Sequence, residues 1–179
     1  GKLHAPNWFI ENQDGSKNPH DEIDDPIKSA KVLQAHVDEG LKFARKNRLP
    51  KPIANFIPEH QGTLKMGYFF HKAEEKNLKI NESDFRYKGP IPQSKETAIL
   101  MLADGCEAAL RAMDINATDN QALETISKIV NSRQIDGQLD DSNLSKGEVY
   151  LIKKSFLNVW KRIRHRRIQY PTNKNNTFS

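Results

Sequence analysis

At 179 residues the chain is long enough for one domain with a real core and leaves little room for a second. Hydrophobic residues make up 36% and charged residues 28%, which fits a small domain with much solvated surface or a piece of something larger. The net charge of +5 is unevenly spread: residues 11–25 are acidic, with Glu11, Asp14, Asp21, Glu22, Asp24 and Asp25 against one lysine, and residues 161–167 (KRIRHRR) are basic.

The chain opens at Gly1-Lys2 without an initiator Met, as expected of a fragment of a longer protein. No signal peptide is present, and no run approaches the ~18 apolar residues of a membrane span. Residues 1–25 read as irregular, with Pro6, Gly15 and Pro19 among many Asn and Asp. Asp25-Pro26 is an N-cap followed by a proline at the first helical position, and Ile27, Ala30, Leu33, Val37, Leu41 and Ala44 recur at helical spacing. Pro50 and Pro52 open a short helix to about residue 60, which Pro58 should bend or end because it lacks an amide donor. A helix over about 64–77 carries Leu64, Tyr68, Phe69 and Ala73.

Residues 78–93 read as a long loop broken by Gly89, Pro90 and Pro92, and loops of this length are often functional. Ser94 caps a helix over about 95–113. The next helix spans about 119–135, with Leu123, Ile126, Ile129 and Val130 inward. Ser145 and Glu148 form a capping box for a last helix to about 168, with a seam of Ile152, Phe156, Val159 and Ile163. No segment alternates as a strand would. The predicted class is all-α, a bundle of five or six helices with an irregular N-terminal part.

Asp104 follows six apolar residues, Ala98 to Ala103, and a helix so lined should be central. A carboxylate there needs a partner: a buried salt bridge, a helix cap or a metal ion. His36 lies mid-helix among Leu33, Val37 and Leu41, where a satisfied core histidine is the ordinary case. His60 stands at a helix end in PEHQGT, placed either to meet the helix dipole or to project a ligand into a cleft. Two imidazoles and a carboxylate from three helices suit Mn, Fe or Zn, but their spacings match no short metal motif. His4, His20, His71 and His165 read as surface residues. Cys106 is the only cysteine. It excludes an internal disulfide, fits a reducing compartment, and reads as a small buried thiol rather than a nucleophile. There is no nucleophile elbow, Walker loop or dinucleotide fingerprint.

The stretches WFIENQ-G-NPHD (8–21), AHVDEGL (35–41), EHQGT (59–63), DFRYKGPIPQSKETAI-MLAD (84–104), DGQLDDSNL (136–144) and RHRRIQYP (164–171) carry a further signal in their order. Together the sequence resembles the cytoplasmic HD domain of membrane-anchored, seven-helix-receptor-like HD phosphodiesterases that hydrolyse cyclic di-AMP. The resemblance implies a divalent-metal site (Mn, Fe or Zn) in which His36, His60 and Asp104 are ligands. Gln61 stands at a position usually held by histidine, where an amide is a weaker, neutral ligand. Gly1-Lys2 resemble the tail of the family's His-Asp-x-Gly-Lys motif, so residues 1–171 would be the C-terminal part of the domain, with the His-Asp ligands upstream. Residues 172–179 would be a disordered tail. Lys2 is the substrate-binding residue that the resemblance implies, while Arg86 and Tyr87 in the long loop are candidates to reach a nucleotide by charge and stacking, with ordinary loop packing as the alternative.

The expected activity is therefore metal-dependent hydrolysis of a cyclic dinucleotide on the cytoplasmic face of a membrane, with this piece inactive alone. The alternative is a degenerate HD domain that binds a nucleotide or a protein partner without catalysis. Nucleic-acid binding through 161–167 is not expected, because the run lacks interleaved aromatics. Direct membrane contact by this chain is not expected either, while a homo-oligomer is compatible with the sequence.

Overall fold

The computed structural model describes residues 2, 6–9 and 18–165, with only the backbone of His165. The expected tail at 172–179 and the end of the basic run lie outside the described residues. Eight α-helical segments are present among them: α1 (Pro19–Ile23), α2 (Pro26–Lys46), α3 (Lys51–Ala54), α4 (Phe56–Glu59), α5 (Gly67–Glu75), α6 (Lys95–Arg111), α7 (Asp119–Ile135) and α8 (Lys146–His165). Five of these are long and three are about one turn each, so the all-α bundle holds. α1 adds one short helix to an N-terminal part most of which lies outside the described residues. It is capped by the Asn18 side chain, which accepts from His20 N, and it opens on Pro19.

The local signals act as their chemistry requires. Asp25 accepts from Lys28 N at 3.0 Å to start α2. Ser94 and Thr97 exchange capping-box bonds at α6, and Ser145 and Glu148 do so at α8. Pro58 cannot donate to the Ala54 carbonyl, and the helix that opens at Lys51 ends at Ala54. A new turn, α4, begins after the single intervening residue Asn55.

Burial is organised in two clusters. One joins Ala98, Met101, Leu102 and Cys106 of α6 to Ile126 and Val130 of α7, Leu139, and Val149 and Ile152 of α8. The other joins Ala30 of α2 to Met66, Phe69, Ala73 and Phe85. The loop at 78–93 is partly ordered as a 3-10 turn over Glu82–Phe85, which drops Phe85 into the second cluster. Around it the backbone pairs briefly, with Met66 N donating to Phe85 O and Tyr87 N to Leu64 O.

Several expected faces are corrected. α6 does have a solvent side: Ile99 and Leu100 are 38% and 39% exposed. α6 packs on α7, α8 and α4, and Leu100 turns to a cavity beside α2 and α4. Leu123 turns to the rim of α7 while Ala122 goes inside. Val159 and Ile163 are about half exposed and line a cavity with Leu110, Met113 and Ile115 instead of packing into the core. The helix expected from residue 64 starts at Gly67, and its Tyr68 is exposed. His20 is buried rather than superficial: Nε2 lies 3.0 Å from Trp8 O, and the ring packs on Trp8 and Phe69. The described part of the basic run is engaged locally. Lys161 pairs with Asp119, while Arg164 donates to the Ala117 and Ile115 carbonyls and lies over the Trp160 ring.

Phe85 is fully buried and closes the second cluster. Phe85→Ala is expected to lower unfolding stability by about 3–5 kcal/mol, read as a fall in the urea midpoint at unchanged m-value.

Candidate metal and substrate site

The site forms where the two clusters meet. α2 presents His36 and Gly40 one turn apart on its buried face. α4 ends on His60. The two imidazole centroids are 5.6 Å apart. His36 Nδ1 lies 2.5 Å from Leu33 O, and His60 Nδ1 lies 2.7 Å from Ile57 O and 3.1 Å from Phe56 O. A carbonyl only accepts, so Nδ1 carries the proton in both rings and Nε2 is left as the donor atom for a metal. His36 Nε2 is buried with no hydrogen-bond partner among the described residues. Burial pushes the His36 pKa down to about 4, with the Leu33 carbonyl opposing and the His60 and Lys2 charges adding to the fall. Its neutral form, the one a metal requires, therefore persists well below neutral pH.

Aromatic rings hold His36 in place. Phe9 and Tyr87 meet it edge-on at 5.4 and 5.9 Å. Burial, and then the nearby Asp104 carboxylate, raise the Tyr87 phenol above its ordinary range. A cavity of about 660 Å³ opens beside the two histidines. Its walls are mostly apolar, from Gly40, Phe43, Leu49, Phe56, Ile57 and Leu100, and Lys2 also lines it. Lys2 Nζ stands 5.2 Å from the Phe9 ring centroid.

The structure thus brings Lys2, His36, His60 and Tyr87 together. Asp104 is exposed on α6, close enough to act on Tyr87 and Arg133 electrostatically. The expectation that it is a buried carboxylate in need of a partner is corrected. Gln61 sits in the turn after His60, half-buried. Arg86 is spent elsewhere: it donates to Thr63 O at 2.9 Å, to both Asp136 oxygens and to Glu82. That geometry makes it a brace for the turn at 59–63.

The donor chemistry fits a divalent ion only in part. Two imidazoles are oriented for one, yet among the described residues no group of three or more His, Cys, Asp and Glu side chains is placed to hold a metal. Sequence reasoning missed the supports of this turn. Buried Gln138 accepts from Thr63 N at 3.0 Å and donates to Thr63 Oγ1 at 2.8 Å. Gly62 has φ +52°, and a Cβ there would collide with the Gln138 side-chain oxygen and lie 2.6 Å from Met101 Cε. The Gly in EHQGT was the available signal; nothing in the sequence pairs it with residue 138.

No family model matches the chain. It is 47% identical over 176 residues to an uncharacterized protein of Synechocystis, covering 96% of this chain and 22% of that protein. It is 36% identical over 174 residues to the cyclic-di-AMP phosphodiesterase PgpH of Listeria monocytogenes, covering 97% of this chain and 24% of the relative. The crystal structure of the Listeria PgpH HD domain in complex with cyclic-di-AMP superposes with a TM-score of 0.86 at 34% identity, over 90% of this chain and 75% of that one. This chain belongs to the PgpH-type HD-domain phosphohydrolases. It spans about a quarter of the length of the curated relatives it matches. As in other HD-domain phosphohydrolases of the PgpH type, divalent-metal dependence is implied by the family.

In the metal-free PgpH-type domain, His36 should titrate near pH 4 by NMR. Its pKa is lower folded than unfolded, so the unfolded state binds more protons between about 6.5 and 4. Stability should fall as pH drops through that window, by on the order of 3 kcal/mol. His36→Phe should flatten that part of the profile.

Proposed function

We propose that this domain is the hydrolytic module of a metal-dependent phosphodiesterase acting on a cyclic dinucleotide, cyclic di-AMP. The observation that carries the reading is the pair of Nδ1-anchored imidazoles at the edge of a cavity large enough for a nucleotide. It is supported by PgpH relatives named as cyclic-di-AMP phosphodiesterases and by the HD domain that binds this compound in a crystal.

His36 and His60 would hold one divalent ion, Mn, Fe or Zn, with Asp104 reaching it by a change of side-chain position. A bound ion supplies a water of lowered pKa and neutralises phosphate charge. The His-Asp pair and the membrane anchor that the resemblance implies would come from other parts of the protein, with this domain on the cytoplasmic face. Among the described residues no helix is long and apolar enough to cross a membrane. Lys2 at the cavity would offer its charge to a phosphate, and Tyr87 would keep His36 oriented. The chain alone, with fewer than three placed donors, would not turn over.

The test is an assay of the longer cytoplasmic region with cyclic di-AMP and Mn or Fe. A linear dinucleotide product is expected. His36→Ala or His60→Ala should each lower kcat/KM by about 100-fold or more, since even partners behind a metal ligand matter 10- to 100-fold. No product with any metal sinks the reading.

Gln61 favours a second reading, a domain that binds the dinucleotide without cleaving it. Gln61→His separates the two. A gain of metal affinity together with new turnover in the longer region shows that the neutral ligand was the defect; wild-type turnover already present removes this second reading.

A further inference from the structure

α4 is a single turn, and its only fully buried side chain is a carboxylate. Glu59 is 2% exposed. Its Oε2 accepts from Gln93 N at 2.9 Å and from Thr97 Oγ1 at 2.7 Å. Both donors belong to the N-terminal end of α6, where Thr97 also completes the capping box with Ser94. The carboxylate therefore sits against the positive end of a 17-residue helix, which stabilises it in the absence of any lysine or arginine partner among the described residues.

α4 also packs on α2, and Gln138 and Arg86 brace the residues that follow it, but Glu59 supplies the side-chain hydrogen bonds that tie α4 itself to α6. Phe56 and Ile57 face the cavity, and Pro58 contributes no amide. The His60 ring takes its orientation from the Phe56 and Ile57 carbonyls of the same turn. Both contacts need the helical turn of α4 to stay formed, so whatever keeps that turn formed keeps the His60 ring oriented.

We propose that Glu59 is a positioning residue for His60. It locks α4 to the start of α6, the helix that also carries Asp104, and so fixes the His60 Nε2 against the rest of the site. The metal side of this inference rests on the phosphodiesterase reading; the ring-orientation side does not. Glutamine at 59 can still accept both bonds through its amide oxygen, whereas alanine accepts neither and strands Gln93 N and Thr97 Oγ1.

The experiment uses the full 179-residue chain. Histidine NMR of the metal-free protein reads the His60 tautomer, and titration with Mn²⁺ or Zn²⁺ alone reads affinity. Wild type should show one tautomer, protonated at Nδ1. Glu59→Ala should show mixed tautomers at His60 with His36 unchanged, and metal affinity lower by roughly 10- to 100-fold. Glu59→Gln should restore the wild-type ring signal and most of the affinity. Thr97→Val, which removes one bond and keeps the β-branched shape, should fall between, and it serves if the alanine variant does not fold. A folded Glu59→Ala or Thr97→Val chain with a wild-type His60 spectrum overturns the proposal, even if its melting temperature falls. If wild type binds neither ion, the phosphodiesterase reading fails for this chain while the tautomer measurement still decides Glu59.

Discussion

The closure of the Gln138 side-chain amide onto Thr63 is the constraint on which the site depends. Residue 138 follows α7 and belongs with the α6–α8 cluster, while Thr63 belongs to the turn after His60. The two apolar clusters do not merge, so polar contacts have to register one against the other. Gln138 and the Arg86–Asp136 pair share this task from one side of the turn. Each buried bond is worth only about 0.5–1.5 kcal/mol net, but losing a partner leaves a buried amide unsatisfied at about 1–3 kcal/mol. Such a seam is specific out of proportion to its strength.

The electrostatics at the seam follow from its dryness. His36 is kept neutral and Tyr87 kept protonated by the same cause, loss of water around the charged form. Lys2 and His60 bring positive charge near His36, which pushes it further toward the unprotonated form. A pocket with apolar walls and this small polar corner suits a ligand that has flat, weakly polar rings and a concentrated anionic centre.

Much of the fold was legible because local chemistry decided it. Asp25, Ser94 and Ser145 cap their helices through their own side chains, and α7 begins and ends where the pattern places it. Where the outcome rests on distant partners, the pattern misleads. The apolar run before Asp104 reads as central, yet Ile99 and Leu100 keep more than a third of their surface exposed. His20 reads as a surface residue among Asn18, Asp21 and Glu22, yet Trp8 and Phe69 bury it from other segments. Arg86 reads as a cation awaiting a substrate, and Asp136, fifty residues on, takes it. The pairing of His36 with His60 was legible only through the ordered motifs; each residue alone has an ordinary explanation.

Gly62 and the residue it faces have a consequence for how this module changes over time. Positions 62 and 138, far apart in the chain, compete for one shared volume. A larger residue at 62 meets the Gln138 oxygen, and shrinking 138 removes the clamp on Thr63 without relieving the positive φ. Neither order of two single changes avoids a weakened intermediate. Drift at this crossing therefore costs stability at each single step, whereas an exposed position on α7 or α8 meets no such clash.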